Sequence, residues 1–414
     1  MKTIIKSLII AGLATAAYAK TPASATAENL INAQRVSNIN VANISPSDSI
    51  WRNAKSVSVV LYPQTTIKLN DAKANTANKD NKAITAQVSA VYNNSAVAFK
   101  ISWSDPTQSV QSGNVSDVYP DGFAMQVPVS FSDPKKLPYI GMGSEGRPVL
   151  VHLTKATNVH YEPNGNGDVE HQVSPHNKNA FGADLANYKD KVNKLGKNAY
   201  TRAFISEGFR SMTELKDESD KFGMKMTYDA KNKRWTGVVA KQLRDSAADL
   251  SKYGALPVSF AIWDGSKYNR GGVKSLSTWL AVKLQGKAGG DALVKELTAK
   301  PQGDAKAGQA QVEAMCASCH TLSPAKQAAS PFMAPSLNNI GGYSTNAYLA
   351  ESIKDPNAVV VAGYNRNAHK GFAWYNVDAK TGKRTSTMPP MMSDDKSIND
   401  AVAYLKTLKA EVAK

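Results

Sequence analysis

Both cysteines of the 414-residue chain fall in one stretch, Cys316-Ala317-Ser318-Cys319-His320, and no other segment constrains the fold so tightly. Two thiols separated by two residues and followed at once by an imidazole form the attachment sequence for a c-type haem. Cys316 and Cys319 can each add to one vinyl group as a thioether, and His320 then stands under the iron as proximal ligand. A structural zinc site would need two more ligands at matching spacing, and the chain has no third cysteine to supply them. A redox C-x-x-C pair belongs in a βαβ setting, which the surrounding residues do not offer. The motif therefore predicts one covalent haem c.

The first residues agree with that chemistry. Residues 1–19 read as a secretory leader, with Lys2 and Lys6 at its start, an apolar run over 8–17, and Ala17-Tyr18-Ala19 as the cleavage site. The run is too short to span a bilayer, and position 20 is lysine, not the cysteine of a lipid anchor. No other apolar stretch approaches membrane length, so the expectation is an exported protein without a membrane span. Haem c is attached outside the cytoplasm, and in a two-membrane bacterium this means the periplasm. With both cysteines given to haem, no disulfide can form, and stability must come from burial and cofactors. The net charge of +16 is spread along the chain without a nucleic-acid motif. It suits docking to acidic redox partners, and equally it keeps a protein soluble.

The length allows two or three domains. After the leader comes a polar lead over residues 20–45, expected to be partly extended. Residues 46–285 then carry mostly strand signals: Val57, Val59 and Leu61 alternate with polar positions, as do Val88 and Val91 and the run 96–103. Further strands are expected near 125–129, 149–153, 225–228, 235–239 and 258–263. Short strands broken by Asn, Gly, Asp and Pro predict a β-sandwich. A long polar insertion over 158–202 holds His160, His171 and His176, whose irregular spacing fits a solvated loop better than a copper or zinc cluster. The Gly-, Ala- and Lys-rich stretch 286–303 reads as the linker between domains.

Beyond it, residues 304–414 change to helical periodicity. A helix over 305–317 delivers Cys316 and Cys319 near its end. Ser344 caps a second helix, stopped by Asp355-Pro356, and Ser393 opens a last one with Ile398, Val402, Leu405 and Leu408 as its buried stripe. Helices around one C-x-x-C-H resemble a class I cytochrome c. That resemblance assigns the sixth iron ligand to Met388 in Thr387-Met388-Pro389-Pro390-Met391-Met392, with Met391 and Met392 as rivals; core filling is the weaker reading here, because Pro-Pro is poor core material. It also gives the carbonyl of Pro335 the task of orienting the proximal histidine. His369 reads as a surface residue.

Two groups of motifs mark the first domain. One is Asp121-Gly122-Phe123-Ala124-Met125-Gln126-Val127-Pro128, followed by Pro138-Tyr139-Ile140-Gly141-Met142-Gly143 and Arg147-Pro148-Val149. The other is Phe260-Ala261-Ile262-Trp263-Asp264-Gly265, then Asn269-Arg270-Gly271-Gly272-Val273-Lys274-Ser275-Leu276-Ser277-Thr278-Trp279. Together they resemble the haem b-binding γ subunits of ethylbenzene dehydrogenase and related dimethyl sulfoxide reductase-type molybdenum enzymes. The resemblance implies a non-covalent haem b in the sandwich, its iron held between Met142 and Lys274. A lysine amine binds iron only when deprotonated, and desolvation favours the neutral form. On residue type alone, Met142 as core filler and Lys274 as a solvated cation are the plainer readings. These γ subunits end after the sandwich, whereas this chain adds a cytochrome.

The function expected is dihaem electron transfer, not catalysis, with filled axial positions at both irons and no substrate site. By resemblance the partners are a periplasmic molybdenum and iron–sulfur enzyme and a second cytochrome or quinol-linked donor in a respiratory chain. Two other classes stand beside it: a haem- or ligand-binding redox sensor, and a cytochrome c enzyme with a displaceable axial ligand.

Overall fold

The computed structural model describes residues 29–110, 118–157, 200–209, 211–215, 220–361, 363 and 371–413. The expected leader over 1–19, His160, His171, His176 and His369 lie outside the described residues.

Alternating apolar positions build one hydrogen-bonded ladder in the first domain. Its strands are β1 (Leu30–Arg35), β2 (Ser56–Pro63), β3 (Ile84–Tyr92), β4 (Ala96–Ser104), β5 (Gly122–Pro128), β6 (Val149–Lys155) and β7 (Tyr200–Ser206). They continue through β8 (Thr213–Glu214), β9 (Phe222–Asp229), β10 (Arg234–Gln242), β11 (Ala255–Trp263), β12 (Ser275–Leu276) and β13 (Leu280–Leu284). A short helix, α1 (Ala72–Ala77), lies between β2 and β3. One layer runs β8-β7-β6-β5-β11 and the other β2-β3-β4-β10-β9. β12 pairs with both β11 and β2, while β1 joins β13 to β3, so the expected sandwich has bridged seams and approaches a barrel. The layers meet through aromatic rings: Phe99 of β4 sits edge-on to Phe260 of β11 at 5.6 Å, and Trp103 lies 6.2 Å from Phe123.

The polar lead is more than an extended arm. Ile31 and Ala33 of β1 are fully buried, and Ile39, Ile44 and Trp51 cover the outer face of β3, β4 and β10 as a second small core. The stretch read as a linker likewise holds a helix, α2 (Asp291–Thr298), with Leu293 and Leu297 buried against β11 and β13.

The second domain comprises α3 (Ala305–Met315), α4 (Ile340–Tyr343), α5 (Asn346–Lys354), the ribbon β14 (Tyr375–Val377) with β15 (Arg384–Ser386), and α6 (Asp395–Leu405). The expected stripe Ile398, Val402 and Leu405 is buried, and Leu408 packs beside it. Two caps sit one residue later than expected. Thr345, not Ser344, accepts the amide of Tyr348 at 3.1 Å, and Asp394, not Ser393, accepts that of Ser397 at 2.8 Å. Thr345 and Asp394 both have the extended backbone of an N-cap, and it is their side-chain oxygens that accept an amide of the first turn.

The helical domain is fastened to one end of the sandwich, where β2 ends and β12 begins. Thr65 donates its hydroxyl to the Asn338 carbonyl, the Asn339 amide donates to Pro63 O at 3.3 Å, and Gly342 lies on the ring of Tyr62. Arg147 forks onto Glu351 of α5 at 2.7 and 2.8 Å, and Tyr139 meets Tyr348 with ring centres 5.3 Å apart. Val412, past α6, returns to pair with Ala83 at the start of β3. Among the described residues, no helix is long and apolar enough to cross a membrane.

Candidate haem sites

α3 starts at Asp304, whose carboxylate accepts the amide of Lys306 at 2.8 Å, and ends at the thiol motif. The chain then tightens, with the amides of Cys319 and His320 both donating to Cys316 O, at 3.1 and 2.8 Å. This turn keeps the two thiols close in the chain while driving the imidazole inward. Cys319 is exposed, Cys316 half-buried and His320 buried, and no disulfide joins the thiols. Burial raises the Cys316 thiol above its ordinary range.

The His320 ring is held by a hydrogen bond between Nδ1 and Pro335 O at 2.7 Å. A carbonyl only accepts, so Nδ1 carries the proton and Nε2 keeps a free lone pair. Burial lowers the imidazole pKa, which also favours the neutral ring that a metal needs. The amide of Leu337 donates to Thr321 O at 2.9 Å and closes the loop that brings Pro335 under the ring. Two accessible thiols, one oriented neutral imidazole and free Nε2 fit a covalently attached haem.

β15 leads into the 387–392 loop. Met392 is buried in the main core and Met391 packs against that core, whereas Met388 is half-buried ahead of them. The amide of Met388 donates to Ser386 Oγ at 3.1 Å, which ties the start of the loop to the ribbon. Core packing thus occupies the two rivals more than Met388.

In the sandwich, the turns holding Met142 and Lys274 come to the same end. Met142 has φ of 80°, a left-handed backbone that costs a non-glycine residue roughly 1–3 kcal/mol. The turn is held by Gly143 N on Tyr139 O and Gly208 N on Met142 O, each at 2.9 Å. Lys274 is buried, its Nζ 5.6 Å from the face of Trp263 and reaching Gly271 O only at 3.4 Å. Desolvation pushes this amine down to about 7. Gln64 joins the two turns: its amide donates to Lys274 O at 2.8 Å, and a methyl on Gly141 would lie 3.1 Å from its Nε2. Gln64 Oε1 and Ser144 Oγ, both beside these turns, are buried with no hydrogen-bond partner among the described residues. A desolvated amine, a thioether on a strained turn and unsatisfied polar atoms around them fit a polar-edged group held without covalent bonds.

The Asp-Gly pairs of the motifs are anchors for this end. Asp121 accepts the amides of Ser109 and Gly265 at 2.7 and 2.8 Å and Trp235 Nε1 at 3.0 Å. It thereby fixes the turn that starts the 264–274 loop; burial raises its carboxyl to about 7. Sequence reasoning missed Gln64, Thr65 and Ser144, for which no local pattern exists. Tyr139 and Arg147 stood inside the quoted motifs, but their partners on α5 did not.

Comparison with known proteins gives two family matches. The model described as ethylbenzene dehydrogenase matches residues 48–275, and that described as cytochrome c matches residues 305–409. No curated protein matches. Among solved structures, a carbohydrate binding module family 9 from Caldicellulosiruptor kristjanssonii in complex with cellotriose is similar at 9% identity and TM-score 0.29. It covers 63% of this chain and 95% of its own. The same module in complex with glucose gives 9% identity and TM-score 0.28, over 63% of this chain and 97% of its own.

Proposed function

This chain belongs to the ethylbenzene dehydrogenase family and ends in a cytochrome c domain, and from these two electron-transfer modules we propose a dihaem carrier that works in the periplasm. In this reading Cys316 and Cys319 bind haem c, His320 and Met388 are its axial ligands, and Met142 and Lys274 hold the iron of haem b. The bound groups supply one-electron exchange; the protein supplies ligands, exclusion of water and fixed orientation. Its partners would be a molybdenum and iron–sulfur enzyme on one side and another cytochrome or quinol-linked donor on the other. The excess of basic residues suits acidic redox partners. The leader-like residues 1–19 and the site of c-type haem attachment support export.

One observation carries the two-haem reading: the Met142 and Lys274 turns, distant in sequence, share Gln64, and the Lys274 amine is buried and desolvated. Acidified acetone separates the two modes of attachment. It should release about one haem per chain and leave about one behind, as non-covalent and thioether attachment require. Lys274→Ala should deplete only the released haem, and Cys316→Ala with Cys319→Ala only the retained one. Wild-type protein matured with ample haem yet holding covalent haem alone would refute the b site.

A further inference from the structure

Resting on the two-haem reading, we infer that residues 63–66 form a coupling strap between the iron sites, with Thr65 as its positioning residue. On the cytochrome side, the Thr65 hydroxyl donates to Asn338 O, and the Asn339 side chain donates to Pro63 O at 3.3 Å. These two asparagines follow Pro335, whose carbonyl orients His320 at 2.7 Å. On the sandwich side, Gln64 N donates to Lys274 O at 2.8 Å, and Pro63 pairs with Ser275 in the ladder. Thr66 Oγ1 is 3.2 Å from Gln64 Nε2 and 3.1 Å from Tyr139 Oη. Tyr139 in turn accepts the amide of Gly143, next to Met142.

Four consecutive residues therefore touch the supports of three proposed ligands. Between His320 and Lys274 every link is covalent or a hydrogen bond: imidazole, Pro335 carbonyl, backbone to Asn338, Thr65 hydroxyl, backbone to Gln64, Lys274. Such a route fixes the separation of the sites and avoids a gap through solvent. One electron leaving a ferrous iron at one site makes that iron ferric and turns a ferric iron at the other ferrous. No bond is made or broken, and no proton moves.

A second bridge sets up a rival route. Glu145, three residues after Met142, pairs with Arg384 of β15 at 2.6 Å, and β15 runs into the Met388 loop. This pair is more open to solvent, with Glu145 54% exposed.

The test uses full-length protein carrying both haems, with a photoexcited flavin donating one electron and redistribution between the haems followed by their separate absorbance. Thr65→Val, which keeps shape and removes the hydroxyl, should slow redistribution several-fold, and Thr65→Ser should restore it. Glu145→Gln should leave it unchanged. Both midpoint potentials should stay at their wild-type values in Thr65→Val, because the strap sets a rate and not a driving force. Protease cleavage between α2 and α3 should also stay as in wild type. Unchanged redistribution in Thr65→Val, or slowing in Glu145→Gln instead, overturns the strap while sparing the two-haem reading. Slowing accompanied by easier cleavage also overturns it, since Thr65 would then act only in docking. Wild-type protein with covalent haem alone overturns both.

Discussion

Lys274 is a lysine in surroundings that oppose its charge. Its amine is buried and its pKa falls to about 7 through desolvation, against an ordinary value near 10.5. Between those values the unfolded chain holds the proton and the folded chain does not, so stability rises with pH across this window. Below about 7 both states are protonated, and the folded state carries the whole cost of a buried cation. In protein lacking the b haem, Lys274→Met should therefore stabilise most at pH 7 and below. The advantage should shrink toward pH 10, from a limit of the order of 5 kcal/mol. Melting curves of both proteins from pH 6 to 10 measure it, and a constant gap would mean that Lys274 is not desolvated. Residues differ in how well they can be read from sequence. Cys316, Cys319 and His320 are legible because attachment chemistry demands contiguous spacing. Gln64 and Thr65 are not, because what they do depends on residues more than two hundred positions away.

Elements were legible where period and punctuation agree. β4, with buried Phe99, Ile101 and Trp103, and α6, with Ile398, Val402 and Leu405, are of this kind. β1 (Leu-Ile-Asn-Ala-Gln-Arg) was hidden because only Ile31 and Ala33 mark its inner face amid amides. α2 was hidden by glycines and lysines that flank just two core leucines. The crossing of α3 and α6 is a third case. Gly308 lies mid-helix, where glycine costs about 1 kcal/mol relative to alanine. It is there because a Cβ would stand 1.8 Å from Asp400 O on α6. Asp400 is buried and accepts the amide of Asp304 at 2.7 Å, so the same crossing holds the start of α3. Gly308→Ala should thus lower stability despite better helix propensity, by roughly 1–3 kcal/mol or more as the helices are forced apart. Denaturant unfolding followed at the covalent haem would show this, and a stabilised variant would contradict the crossing.

Nothing in the composition announces that the cytochrome domain is fixed to the sandwich, since docking depends on pairs that are remote in sequence. Arg147 and Glu351 are the strongest of these: a bidentate guanidinium–carboxylate contact with each side chain one-fifth exposed. The Glu351 carboxylate holds the Arg147 guanidinium pKa above its usual value, which keeps the cation charged throughout the working range. Removing one partner should hurt more than removing both, because the remaining ion is left partly desolvated at an interface. Arg147→Met should weaken docking by roughly 2 kcal/mol, below the 3–5 kcal/mol of a fully buried pair because water still reaches this one. Arg147→Met with Glu351→Met should recover part of that loss. The readout is protease cleavage in the 299–304 segment between α2 and α3, which frees a haem-stained cytochrome fragment from a sandwich that stays folded. Cleavage should be fastest in Arg147→Met, intermediate in the double variant and slowest in wild type. High salt should change that order little, since a pair this close and this shielded is screened far less than surface charges are. Equal cleavage in all three proteins would mean that the contacts at Thr65, Tyr348 and Val412 hold the domains without it, and that the ion pair only selects their orientation.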